Sequence, residues 1–383
     1  MAWLLGVGKP TADQWRVLGE SLLAGDERMD ALVDWMFSEG FAETRLMFEC
    51  AVRDGIDTVA RAPEPLREFF AHLENPPEWL DRAKVARGAR VFRTGGADGV
   101  YIARDVAFLG GYLASGFNKT LIRTGALEKG PSARFAETLQ WALDVTAEGG
   151  MDDFGPGYRS TLHVRLIHAL VRRHVGAMSD WDTAAWGVPI NQTDMAATLV
   201  GALMSPFAAA PALGIVPIPR ELDDAAHLTK YVGWLLGVEN QWLPHGFRDA
   251  IRILYHCLSA ITDPDDTTVR LARPMADDPL TWQYPRFAAV RREIARAQHL
   301  SMASAFLGPK AMHALGLSYA LPWYPLLRIP INLLRVLRGR LLPGGLTRAA
   351  ARGRREQEAF LARLIGSAVP NVGATAHHLH HAA

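Results

Sequence analysis

Apolar residues along this chain recur every three or four positions far more often than every second one. That period marks helices with one face turned to a core. Residues 11–23 open with a capping Thr and carry Trp15 and Leu18 on one face. Residues 28–37 and 42–54 read as two more short helices, and Pro63-Glu64-Pro65 starts another through His72. Asn75-Pro76-Pro77 breaks the chain before a helix from Glu78 to about Phe92. Residues 100–124 are a long apolar segment interrupted by Gly110, Gly111 and Gly116. Gly130-Pro131 starts a helix to about Glu148, and Gly149-Gly150 stops it. A helix over 158–175 follows, then a Trp-rich loop over 180–189, and Asn191 caps the next helix. Residues 220–236, 243–259, 279–299 and 346–365 are expected to be helical, with an acidic loop over 261–274. Strand signals are scarce and no fixed repeat is present. The expected fold class is all-α. The expected organisation is an N-terminal helical cap (1–92), a core (93–320), and C-terminal amphipathic helices with a tail (321–383).

Two apolar stretches pass for membrane spans on a crude test. Residues 195–219 carry no charge but are broken by Pro206, Pro211 and Pro217. They read as a buried helix ending near Ser205-Pro206, then an apolar loop. In residues 321–342, Arg328, Arg335, Arg338 and Arg340 punctuate Leu, Ile, Trp and Tyr. That pattern suits a helix lying on a membrane surface better than one crossing it.

Composition narrows the class. Apolar residues are 49% of 383, enough for a sizeable core. The formal net charge is +1, which argues against a general nucleic-acid binder. Cys50 and Cys257 alone make neither a disulfide framework nor a cysteine zinc site. Residues 1–7 are too short and lack the basic flank of a secretory leader. A cytoplasmic, reducing setting is expected, with peripheral membrane contact through 321–342. The histidines that end the chain over 369–383 read as a terminal tail.

The helix over 158–175 carries the most specific chemistry. Val164, Ile167, His168, Val171 and Val175 fall on one side, so a single imidazole sits inside an aliphatic stripe. Such a histidine is either a core residue bonded to a backbone carbonyl or a ligand to something flat and apolar packed on the stripe. An iron-centred macrocycle meets that description, with nearby arginines for its carboxylates. His163 lies five residues from His168 and points elsewhere. On the preceding helix Arg134, Thr138 and Trp141 share a face, with Glu137 beside them. These are either a surface Arg with an intrahelical hydroxyl bond, or a cation and a hydroxyl donor above a bound iron–oxygen species. The chain has no Gly-x-Ser-x-Gly elbow, no P-loop, no His-Glu-x-x-His and no Glu-x-x-His pair.

The order and spacing of these pieces resemble a known family. Arg134-Phe-Ala-Glu-Thr138, then Thr-Ala-Glu-Gly-Gly-Met, then Tyr-Arg-Ser-Thr-Leu-His-Val-Arg-Leu-Ile-His168, then Trp-Gly-Val-Pro-Ile-Asn-Gln-Thr-Asp are similar to the haem-dependent MpaB/rubber oxygenase family, which includes bacterial latex-clearing proteins. The similarity runs from about Phe92 to Arg248. It implies a globin-like helical core with added N- and C-terminal helices. It implies haem b as cofactor, His168 as the proximal iron ligand, and Arg134 and Thr138 on the distal side. Rubber-cleaving members place a lysine just before that threonine; here it is Glu137. They also use an upstream glutamate as base, and Asn118 stands near that place.

The expected function is a b-type haem oxygenase acting with O2 on an apolar, olefinic or isoprenoid chain. His168 is the expected metal ligand and Arg134, Glu137 and Thr138 the expected catalytic residues. Arg165 is the first candidate for a haem carboxylate. The Glu137 and Asn118 departures leave a second reading open, a haem or lipid carrier without turnover. A peripheral membrane protein without haem is a third.

Overall fold

The computed structural model describes residues 5–366. It is all-α: nineteen helical segments are interspersed with short 3₁₀ and π turns, and the one β-type contact among the described residues is an isolated bridge between Ala114 and Asp263. In chain order the helices are α1 (Ala12–Leu22), α2 (Glu27–Glu39), α3 (Phe41–Asp54), α4 (Glu64–Glu74), α5 (Arg82–Thr94), α6 (Gly96–Ile102), α7 (Leu109–Gly111), α8 (Ser115–Arg123), α9 (Ala126–Lys129) and α10 (Pro131–Val145). They continue as α11 (Pro156–Gly176), α12 (Thr183–Trp186), α13 (Gln192–Ala209), α14 (Pro219–Leu235), α15 (Phe247–Ile261), α16 (Asp266–Asp277), α17 (Ala288–Ala314), α18 (Trp323–Leu341) and α19 (Gly345–Ile365).

Caps set most boundaries. Thr11 and Gln14 form a capping box on α1, and Asn191 accepts from the Asp194 amide at the start of α13. Pro at the first turn opens α10 and α11, where its missing N–H leaves no bond unmade. Four expectations need correction. The helix expected from Glu78 starts at Arg82, because Asp81 caps it by accepting from the Lys84 amide. The acidic loop expected over 261–274 is mostly helix: Asp265 and Thr268 form a capping box that starts α16. The helix expected over 279–299 begins at Ala288 instead and runs on to Ala314. The segment expected to end near Pro206 stays helical to Ala209 before a 3₁₀ turn. The apolar run 100–124 is not one helix. A π-helical stretch, Ala103–Phe108, joins α6 to α7, and the chain then turns into α8. The His-rich tail lies outside the described residues.

Two hydrophobic cores meet near the middle of the chain. The first is built by α1–α5 with α11 and α13–α15, and includes Leu18, Phe48, Phe70, Leu162, Leu203 and Val232. The second gathers Ile102, Phe135, Leu139, Met275, Trp282 and Phe360 from α6, α10, α16, α19 and the loop before α17. Helix α10 serves both, since Trp141 and Val145 belong to the first and Phe135 and Leu143 to the second. The α10–α11 pair therefore lies on the seam.

Helix α13 is apolar and long enough to cross a membrane, but most of it is buried inside the protein. It passes the length test as a core helix.

Candidate functional site

Helices α10 and α11 form an antiparallel hairpin, and two contacts fix its register. Gly157 lies so close to α10 that a Cβ on it would stand 2.7 Å from the Val145 Cα. Four residues further along α11, Trp141 Nε1 donates to Thr161 Oγ1 at 3.1 Å. The facing positions on α10 are 145, 141, 138 and 134. Those on α11 are 157, 161, 164 and 168. Each set steps by three or four and stays on one helix face. The register thus sets Thr138 level with Val164 and Arg134 level with His168, about 10 Å beyond the Trp141–Thr161 bond at 1.5 Å per residue. At the closed end Trp141 and Val145 are buried. At the far end Arg134, Thr138, Val164 and His168 all keep part of their surface exposed.

His168 is unusual for a half-buried histidine. Its Nδ1 is enclosed and has no hydrogen-bond partner. Burial, helped by the Arg172 cation, pushes its pKa down to about 4. The imidazole is therefore neutral near pH 7. A core histidine satisfied by a backbone carbonyl would show a bond that this ring lacks.

On the opposite helix Arg134 donates to the Tyr112 hydroxyl at 3.2 Å, with its guanidinium 5.4 Å from the centre of the Phe108 ring. Tyr112 is fully buried, and burial raises its pKa, so the hydroxyl keeps its proton. Thr138 donates to the Arg134 carbonyl at 3.3 Å, a bond within its own helix. Glu137 forms an ion pair with Lys129 of α9 and does not turn toward Arg134. Asn118 is fully buried. Its Nδ2 donates to the Tyr112 carbonyl at 2.7 Å and to Thr267 Oγ1 at 3.2 Å, and its Oδ1 has no partner. Tyr112 thus joins Arg134 to Asn118, through its hydroxyl and its carbonyl respectively.

Arg165 has a different setting from the one expected. It is buried and bidentate with Asp26, Nε at 2.6 Å and one terminal nitrogen at 2.8 Å, and also donates to the Leu235 carbonyl. The carboxylate it meets is the protein's own. Arg172 pairs with Asp30 and Arg173 with Asp34. Asp26, Asp30 and Asp34 stand four apart along α2, so the arginines of α11 form a ladder that clamps α2 against it.

An apolar groove, partly open to solvent, lies beside this seam. Leu139 and Ala142 of α10, Ala103 of the π-helical stretch and Ala202 of α13 line its inner part. Thr198, one turn before Ala202, is exposed although the residues from 192 to 201 around it are buried. No cluster of three or more His, Cys, Asp or Glu suited to a metal ion occurs among the described residues.

Comparison with known proteins decides the family. Residues 98–341 match the family described as ER-bound oxygenase mpaB/B'/rubber oxygenase, catalytic domain. The chain belongs to this family. The mpaB/rubber oxygenase match includes α10, α11, Tyr112, Asn118, Lys129, Arg134, Glu137, Thr138, Arg165 and His168, while Asp26, Asp30 and Asp34 lie before it. A rubber oxygenase from Streptomyces sp. (strain K30) is 26% identical over 194 residues, which are 48% of this chain and 45% of that protein. The match thus spans less than half of that relative's length. The structure of a latex clearing protein in the closed state superposes with a TM-score of 0.66 at 19% identity, covering 88% of this chain and 91% of the other. That likeness bears on the fold, and it agrees with the all-α fold expected from the sequence.

Sequence reasoning missed Lys129, Tyr112 and the three aspartates of α2. The aspartates had a signal, a four-residue spacing on one helix against three arginines on another. Lys129 and Tyr112 had none, because loop geometry brings them to α10.

Proposed function

We propose that this mpaB/rubber oxygenase family member binds haem b through His168 and oxidises an apolar, olefinic or isoprenoid-like chain with O2. The observation that carries the reading is the His168 imidazole, neutral, part-buried, unpartnered at Nδ1, and level with Arg134 on the facing helix. An iron needs a neutral imidazole, and a histidine kept neutral by burial loses no proton on binding it. When bound, haem supplies the iron that carries the redox chemistry.

The rest of the reading concerns what the chain's own groups do. Arg134, fixed by Tyr112 and Phe108, holds a positive charge on the side opposite His168. Thr138 offers a hydroxyl whose resting bond, at 3.3 Å to its own helix, is long and readily exchanged. Glu137 is the carboxylate of that helix turn and the candidate base, a role it can take only after its side chain leaves Lys129. The apolar groove admits an apolar chain and keeps water away from it. Arg165 holds α11, and with it His168, in position.

A second reading is favoured by one specific observation. The position expected to carry a base holds Asn118, an amide, and Glu137 is already engaged by Lys129. A haem or lipid carrier without turnover has that pattern. An absorption spectrum of the purified protein tests the haem: a Soret band supports the first reading, and its absence after haem loading overturns both haem readings. O2-dependent conversion of an alkene by the loaded protein then separates oxygenase from carrier.

A further inference from the structure

Helix α18 is inside out. Its inner face is polar: Asp98, 2% exposed, accepts from Arg328 at 2.7 and 3.0 Å and from Asn332 at 2.7 Å, and Arg335 pairs with Glu356. Its outer face is apolar: Leu326, Leu327, Ile331, Leu334, Leu337 and Leu341 are 38–76% exposed. A helix packed on a protein core in water has the reverse arrangement. The apolar face continues into its neighbours. Leu342 and Leu346 are exposed just beyond its end. Val216 is 49% exposed in the segment whose carbonyl accepts from Arg340. A contiguous patch of this kind marks an interaction surface.

Charge identifies what covers it. The whole chain carries a net charge of +1, yet from Ile294 to Arg355 there are ten Lys and Arg and no Asp or Glu; six of the arginines, Arg296, Arg328, Arg335, Arg340, Arg352 and Arg354, meet carboxylates from outside that stretch, and the surface charge beside α18 comes from the others. Arg338 and Arg348 are exposed beside the leucines. Leucines facing out with arginines at their border match the acyl–headgroup boundary of an anionic bilayer.

The same face carries the mouth of the apolar groove. Val216, Arg340 and Leu346 line its outer part, while Leu139, next to Thr138 on α10, lines its inner part. We propose that α18 docks this protein on an anionic lipid surface and that the groove opens onto that surface, so that a lipophilic molecule enters it from the bilayer. That the molecule entering is a substrate rests on the oxygenase reading; the docking does not.

The test uses the full-length protein and vesicles of phosphatidylcholine with about one-third phosphatidylserine. At low salt the protein floats with the vesicles, and raising the salt releases most of it. The double variant Leu334→Glu/Leu337→Glu, on exposed positions, keeps its thermal midpoint and binds at least about tenfold more weakly. A nitroxide on Val216→Cys, in a Cys50→Ser background, becomes accessible to O2 dissolved in the lipid, while one on exposed Arg16→Cys does not. Failure to float at low salt overturns the docking. So does unchanged binding by the double variant, or a dimer in solution that the double variant dissolves while vesicles are ignored. Floating with a water-exposed label at 216 overturns the lipid-facing groove. None of these readouts depends on haem or turnover, so they fail separately from the oxygenase reading.

Discussion

Trp141 Nε1 donates to Thr161 Oγ1 at 3.1 Å, and this bond sets Arg134 level with His168 along the α10–α11 hairpin. It lies seven residues from Arg134 along one helix and seven from His168 along the other. The closer crossing at Gly157 supports the same register. Trp141→Phe should therefore cost about 1 kcal/mol, the usual net worth of one hydrogen bond, and leave haem content unchanged. Gly157→Ala should cost more, about 1–3 kcal/mol, because a Cβ there must push α10 away. Urea unfolding of the two variants measures both.

His168→Ala separates the cofactor from the fold. The imidazole is part-buried and bonded to nothing at Nδ1, so its removal breaks no hydrogen bond there and leaves the helix backbone untouched. The expected result is loss of tight haem retention with helical circular dichroism intact. Full haem occupancy in this variant would remove His168 from the site.

Glu137 and Lys129 must be varied together. If Glu137 is the base, Glu137→Gln lowers alkene turnover at least about tenfold, toward the 10²–10⁴ that a general base contributes. Lys129→Met, which keeps the carboxylate, should lower it far less, about threefold or under. Haem content should be unchanged in both. Normal turnover by Glu137→Gln with impaired Thr138→Ala would move the base elsewhere, and the Asn118–Lys119 turn is the next to vary.

The helices were legible in the sequence because caps and period are local signals. Asn191 before α13 and Gly130-Pro131 before α10 announce themselves without any partner. The acidic run before α16 misled because Asp and Thr are common to loops and caps, and only the Asp265–Thr268 pair makes it a cap. At the site, the face shared by Arg134, Thr138 and Trp141 follows from helical spacing alone. What opposes that face depends on how two helices cross. Arg165 shows the limit most clearly. Its charge was legible, but its partner Asp26 lies 139 residues away. The four-residue spacing of the aspartates is visible in the sequence, but nothing local says which arginine each one meets.

Asp194 should give stability an unusual pH dependence. It is buried, one Asn191 amide contacts its side chain, and burial pushes its pKa up to about 7. A carboxyl whose folded pKa lies above its unfolded value binds more protons in the folded state between the two. Its contribution is favourable below the unfolded value near 4 and is lost as pH rises toward 7. Asp194→Asn removes that loss. The variant should gain on the order of 4 kcal/mol over the parent between pH 4 and pH 8, about three pH units at ~1.36 kcal/mol each. His168 acts in the opposite direction. Its folded pKa of about 4 lies below the unfolded value, so stability is lost as pH falls from about 6.5 to 4. Thermal midpoints of haem-free parent, Asp194→Asn and His168→Ala across pH 4–8 resolve the two slopes.

Asp98 holds α18 with its apolar face outward. Three side chains of α18 converge on one buried carboxylate: Arg328 through two nitrogens, Asn332 at 2.7 Å, and the Tyr324 hydroxyl at 3.4 Å. Removing the acid leaves a partly buried guanidinium without its counter-charge. Breaking a buried pair from one side typically costs about 3–5 kcal/mol. Asp98→Leu should show that loss in urea unfolding, and α18 should become open to proteases well before the rest unfolds. Arg328→Met in the same background should recover part of it, because the stranded charge goes too. Asp98→Asn should cost less than Asp98→Leu, since an amide oxygen can still accept from Asn332 and Arg328. If Asp98→Leu unfolds at the parent's midpoint and resists protease equally, the polar inner face does not hold α18, and the outward leucines need another explanation.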